Sequence, residues 1–218
     1  MPKKIWFLYL TILIDMIGIG VLIPVIPQLL GESGSSAFLL DPSQEKLGFI
    51  LLGFLSAIYP IAMFFAAPIL GALSDKYGRR PVLLLSILGT AVGYFLFTWA
   101  IVIKNIPLLF FSRLVDGLTG GNISTVQASI TDQVDPEHRA KAFGLMGATF
   151  GIGFILGPFI GGKLADPHVL SWFNASTPFL FAGILAFVNF LSIYLFFVET
   201  NMHIDKERVI KFFSSVSN

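Results

Sequence analysis

Three charged residues lie inside apolar runs, where charge is costly, and their types and depth define the chemistry open to this chain. Asp15 falls in the run 5–30, and Arg113 and Asp116 fall in the run 107–130. At ~1.5 Å per helical residue, Asp15 lies ~15 Å into its run and Asp116 ~13 Å past Pro107. If the two runs cross a bilayer in opposite directions, both acids sit near one depth. An arginine there costs roughly 2.5–3.5 kcal/mol on insertion scales, so it needs a carboxylate or an aqueous cavity. One guanidinium neutralises one carboxylate, which leaves the other acid to take up and release a proton. Two blander arrangements use the same residues: Arg113 snorkelling to the nearer surface, and Asp15 as a permanently ionised partner of Arg113. Either acid could also hold a cationic substrate.

The rest of the 107–130 run supports a cavity. At helical spacing Arg113, Gly117, Gly120, Ser124, Gln127 and Thr131 form one small, polar stripe with Asp116 beside it. Such a stripe is unfavourable against lipid, so Ser124, Gln127 and Thr131 are expected to line a cavity.

Two further patterns concern backbone geometry. In Gly71-Ala-Leu-Ser-Asp75-Lys76-Tyr-Gly78-Arg79-Arg80-Pro81, Gly71 permits close helix approach and Gly78 a positive φ in a tight turn. Asp75 can hold Arg79 or Arg80, or cap a neighbouring helix N-terminus. In the run 142–164, Gly144, Gly147, Gly151, Gly153, Gly157, Gly161 and Gly162 recur at close helical spacing around Pro158. That spacing gives a smooth face for tight packing, and the proline removes a backbone donor.

The elements that must position these residues follow from composition. The 218 residues are 55% hydrophobic and only 12% charged, with a mean hydropathy of +0.82, against roughly 25% charged in soluble domains. Six apolar runs, at about 5–30, 47–73, 81–103, 107–130, 142–164 and 178–198, are each long enough to cross ~30 Å of hydrocarbon. The expected fold class is therefore an all-α membrane protein of six transmembrane helices in a lipid bilayer. The first run follows Lys3 and Lys4 but is longer than a signal-peptide core and contains Asp15, so it reads as an uncleaved span.

Alternate loops carry unequal charge. One set holds Lys3, Lys4, Lys76, Arg79, Arg80, Arg139, Lys141, Lys206, Arg208 and Lys211, and the other only Lys46, Lys104 and Lys163. The asymmetry predicts cytoplasmic termini, with residues 201–218 as a cytoplasmic tail or the start of an interdomain loop. A net charge of +1 with no basic surplus argues against a nucleic-acid partner. The absence of cysteine excludes disulfides, thiolate catalysis and thiolate metal sites. No phosphate loop, HExxH or serine-nucleophile elbow occurs, so neither an enzyme nor a metal protein is expected.

Two three-helix units echo each other. Pro68-Ile-Leu-Gly71-Ala-Leu73-Ser-Asp75 matches Pro158-Phe-Ile-Gly161-Gly162-Lys-Leu164-Ala-Asp166 with one inserted residue, and Asp15-Met-Ile-Gly18-Ile-Gly20 echoes Asp116-Gly117-Leu-Thr-Gly120-Gly121. The loop from Gly71 to Pro81 resembles the signature G-x-x-x-D-[RK]-x-G-[RK]-[RK] of the major facilitator superfamily, at the family's place between spans two and three. Leu109 to Gly117 resembles the family's L-x-x-x-R-x-x-x-G pattern, and Gly153 to Gly162 its antiporter motif G-x-x-x-G-P-x-x-G-G.

The resemblance is to proton antiporters that export tetracycline and other drugs, and it runs from Asp15 to about Glu199. It implies a 3+3 inverted repeat forming the N-terminal half of the fold, in the inner (plasma) membrane, with a substrate site near the midplane. It implies a cytoplasmic latch at Gly71, Asp75, Gly78, Arg79 and Arg80, and an antiporter motif at Gly153, Gly157, Pro158, Gly161 and Gly162. It further implies proton coupling through Asp15, Arg113 and Asp116, no cofactor beyond the proton gradient, and a small-molecule drug as substrate. Where the tetracycline exporters commonly place an Asp in span three, this chain has Val92-Gly93-Tyr94, which opens the substrate to other amphipathic or cationic drugs. As one half, the chain is expected to need a second six-helix half, from its own copy or a separate chain, with the latch face at Gly71 and the glycine face of span five as the natural contacts. The competing expectation is a truncated, non-transporting membrane protein: a remnant, scaffold or receptor.

Overall fold

The computed structural model describes residues 5–200. The expectations on Lys3, Lys4, Lys206, Arg208, Lys211 and the tail 201–218 lie outside the described residues. Among the described residues seven α-helices run in order: α1 (Trp6–Leu30), α2 (Glu45–Tyr77), α3 (Arg79–Val102), α4 (Ile106–Thr119), α5 (Asn122–Gln133), α6 (Arg139–Ala165) and α7 (Thr177–Phe196). Five segments are long and apolar enough to cross a membrane: α1, α3, α7, and α2 and α6 each with the short 3₁₀ turn before it. The fourth span is α4 and α5 together.

That break corrects the continuous span expected at 107–130. Asn105 starts α4 by accepting the Leu108 amide on its side chain at 2.9 Å, with Pro107 in the first turn. The helix closes where the Gly120 amide donates to the Asp116 carbonyl at 2.6 Å, and α5 restarts at Asn122. Gly120 and Gly121 are adjacent, and each disfavours helix by about 1 kcal/mol relative to alanine. Close packing requires them: a Cβ on Gly121 would fall 2.8 Å from the Ala67 Cα, and one on Gly120 2.9 Å from the Tyr59 hydroxyl, both on α2. Helices α2 and α6 also run past the expected 47–73 and 142–164.

Packing follows the internal repeat. Span one lies on span five (α1 on α6), and span four correspondingly on span two (α4 and α5 on α2), while α3 lies on α7. The first pair meets backbone to backbone: a Cβ on Gly157 would fall 2.7 Å from the Gly20 Cα, and one on Gly161 2.8 Å from the Val21 carbonyl. The expectation that the glycine face of span five awaits a second half is corrected here, because Gly153, Gly157 and Gly161 are spent on α1. Gly144, Gly147, Gly151 and Gly162 have open space instead.

The apolar core divides into two large clusters. One contains Leu29, Phe97, Leu109 and Phe179, the other Leu8, Leu83, Ile130 and Ile193. Between them, at one level of α1, α3, α4 and α5, lies a buried layer of polar side chains. On the outside, α2 and α6 are the least covered spans, with Phe54, Phe64 and Phe65 of α2 and Ile155 and Phe159 of α6 exposed.

Candidate functional site

The buried layer brings together two of the three charged residues as a pair and places the third beside them. Arg113 and Asp116 are one turn apart on α4, so both project to one side. Arg113 Nη1 donates to Asp116 Oδ2 at 2.6 Å, and both side chains are almost wholly buried, at 5% and 2% exposure. The guanidinium also lies over the Tyr59 ring of α2, 4.5 Å from its centroid, a position that adds a cation–π attraction where water is excluded. Snorkelling is thereby ruled out for Arg113. Nor is Asp15 its partner: Asp15 Oδ2 accepts a 2.8 Å hydrogen bond from Asn122 Nδ2.

The helix break explains that bond. Ending α4 at Thr119 and restarting at Asn122 places Asn122 in the first turn of α5, 1% exposed and turned toward α1. Asn122 was missed from sequence, as were Tyr59, Thr90 and Tyr94, although an amide directly after Gly120-Gly121 in an apolar run is a usable signal.

Two cavities adjoin the layer. An apolar one of about 380 Å³ lies between α1 and α2, lined by Leu22, Ile23, Ile26, Leu52, Leu55 and others, with Ser56, Tyr59 and Arg113 as its polar part. Its size and lining suit a small amphipathic molecule. The second, about 10 Å³, is lined by Asp15, Tyr59, Thr90, Tyr94, Asp116, Gly120 and Asn122 among others. Tyr59 and Ile19 border both. Ser124, Gln127 and Thr131 line neither. Ser124 donates to the Gly121 carbonyl at 3.0 Å with its hydroxyl toward Gly71, Thr131 donates to the Gln127 carbonyl at 2.9 Å, and Gln127 is exposed.

At one end of the bundle, Gly78 takes φ 100° between α2 and α3, as a turn needing glycine requires. Arg79, 10% exposed at its side chain, donates through Nη1 to Asp75 at 2.5 Å and to Ser74 at 2.7 Å, and through Nε to Asp132 of α5 at 3.1 Å. Arg80 Nη2 donates to the Tyr194 carbonyl at 2.6 Å. Asp75 therefore holds Arg79, while Asp132 and Glu199, which accepts the Arg79 and Arg80 amides, are partners that sequence reasoning missed.

The sequence profile described as Major Facilitator Superfamily matches residues 8–213. Similar curated proteins include the class H tetracycline resistance protein of Pasteurella multocida, 36% identical over 92% of this chain and 46% of that protein. The class C tetracycline resistance protein of Escherichia coli is 39% identical over 83% of this chain and 41% of its own length. The crystal structure of the human organic anion transporter MFSD10 matches with a TM-score of 0.72 and 26% identity, covering 92% of this chain and 49% of that one. The chain thus spans about half the length of the curated relatives it matches.

Proposed function

The chain belongs to the major facilitator superfamily, and on that premise we propose that it is the N-terminal half of a proton-coupled exporter of drugs such as tetracycline or other amphipathic compounds. The observation that carries this reading is the buried Arg113–Asp116 pair with Asp15 beside it, Arg113 also lining a 380 Å³ apolar cavity. A paired arginine and a second acid at one depth are what an exchange of drug for proton needs. Asp15 is the coupling acid, Arg113 and Asp116 the charges that respond to it, and the apolar cavity the half-site for drug. The drug resistance proteins among its relatives support the substrate class.

In this reading the protein lies in the inner membrane with both termini in the cytoplasm, a placement that the loop charges support. The Arg79 network is a latch: Arg79 ties the end of α2 to α5, and the two move as a unit when one half rocks against the other. Ser124, Gln127 and Thr131, on the less covered face of α5, line the central cavity only when a second six-helix half stands opposite. That half, a copy of this chain or a separate one, covers α2 and the open glycines Gly144, Gly147 and Gly151 of α6. The test is drug susceptibility of cells producing the chain alone, or together with a separately encoded C-terminal half of a tetracycline exporter. Raised resistance in the second case supports the reading; equal susceptibility in both, with both chains in the membrane, refutes it.

A further inference from the structure

The small cavity in the polar layer has a feature that the pairing of charges does not explain. Asp116 Oδ2 is engaged by Arg113, but Oδ1 is buried and makes no hydrogen bond of good geometry among the described residues, with the Thr90 hydroxyl as a weaker neighbour of the carboxylate, and Asp116 is 2% exposed. A buried, unsatisfied carboxylate oxygen costs about 1–3 kcal/mol or more, and an ordered water is a common remedy. The space it borders is polar on several sides: Asp15 from α1, Tyr59 from α2, Thr90 and Tyr94 from α3, Asp116 from α4 and Asn122 from α5. It leaves about 10 Å³ for the centre of a water-sized molecule, room enough for a water, and a buried water needs two to four polar partners.

We infer that this cavity is a binding site for one water molecule that bridges Asp116 to Asp15 and makes the two carboxyls a single proton-holding unit. The inference rests on the exporter reading for its use, though not for its existence. The transfer balances without any other reactant: Asp15, when protonated, gives its proton to the water, and the water gives one of its own to Asp116 Oδ1. Asp15 ends as carboxylate, Asp116 as acid, and the water is unchanged. The Arg113 guanidinium, losing its charged partner, is then released toward the apolar cavity that it also lines. Tyr59 and Ile19 border both cavities, and a drug in the larger one senses the proton through Arg113, which lines that cavity and is bonded to Asp116. The glycine at position 120 keeps this wall open, since a Cβ there would fall 2.9 Å from the Tyr59 hydroxyl.

The experiment is infrared difference spectroscopy between acid and neutral pH on the full 218-residue chain in lipid nanodiscs, in ordinary water and in water labelled with oxygen-18. Expected is one O–H stretching band that shifts with the label, is lost in Thr90→Leu, which fills the cavity, and is lost or moved in Asp116→Asn. The carboxyl band that disappears in Asp15→Asn is also expected to shift in Asp116→Asn. Thr90→Val, which keeps the volume, guards against misfolding of the larger replacement and retains the labelled band. Absence of any label-sensitive band in the unaltered chain, or its persistence unchanged in both Thr90→Leu and Asp116→Asn, overturns the site. Neither result depends on transport, so a failed site leaves the exporter reading standing, and a failed exporter reading leaves the water.

Discussion

Glu199, three residues beyond the end of α7, accepts the backbone amides of Arg79 and Arg80 at 2.8 and 3.0 Å, so the last span caps the first turn of the third. The first amides of a helix have no partner within it, and a carboxylate there also meets the positive end of the helix dipole. Glu199→Ala is expected to destabilise the chain by about 0.5–2 kcal/mol, the range for lost N-caps, read as a lower unfolding midpoint in mild detergent. An unchanged midpoint would mean that water serves the two amides equally well.

The two glycine faces of α6 are expected to behave oppositely. Gly157 meets the Gly20 backbone while Gly147 has open space, so Gly157→Val forces α1 and α6 apart at a cost of about 1–3 kcal/mol or more. Gly147→Ala in the isolated chain is neutral or slightly stabilising through helix propensity. Thermal unfolding of the two variants by size-exclusion chromatography decides the matter, and equal losses would contradict this packing.

A pH effect is expected in the loop between α6 and α7. The His168 amide donates to Asp166 Oδ1 at 2.8 Å, and its ring nitrogen lies 2.9 Å from the same oxygen. Together they hold the Asp166 carboxyl below its ordinary value, the backbone bond contributing most. A lowered folded value means that the stabilisation is present above the unfolded carboxylate value of about 3.9 and is lost as pH falls through the folded one. The His168 amide resonance should therefore move only below the ordinary carboxylate range, and the step should vanish in Asp166→Asn. Movement centred on the ordinary value would show that the turn does not hold the acid.

These elements differ in how far sequence revealed them. The six apolar runs, the positive φ at Gly78 and Asp75 as a holder of Arg79 or Arg80 were legible, because each follows from local composition and spacing, while the choice of Arg79 was not. The break at Gly120-Gly121 was not, since glycines at helical spacing look the same whether they pack a continuous helix or end one; proximity to Tyr59 and Ala67 of α2 decides it. With the break came a new partner for Asp15, because Asn122 faces α1 only when α5 restarts there. Asp132 and Glu199 were illegible for a different reason: their partner Arg79 is 53 and 120 residues away, and only tertiary packing brings such residues together.

The coupling role proposed for Asp15 has its own variants. In an assembly with a second half, Asp15→Asn is expected to abolish proton-driven export while leaving membrane insertion intact, and Arg113→Ala to fail as well. Loss should reach the background of empty membranes. Undiminished efflux by Asp15→Asn, driven by a pH gradient, would move the coupling to Asp116.

The central claim is that this chain supplies half of a proton-driven exporter and transports nothing as a monomer. Polar groups of α4 and α5 would otherwise border lipid, and single polar contacts between membrane helices contribute only ~0.6 kcal/mol, so many close contacts must hold the halves together. The direct measurement is proton-driven uptake of a fluorescent drug into inverted vesicles, with the mass of the purified species determined in parallel. The account predicts no uptake by a monomeric 218-residue chain, and uptake when it is paired with a second six-helix half. A demonstrably monomeric chain that concentrates the drug would contradict it.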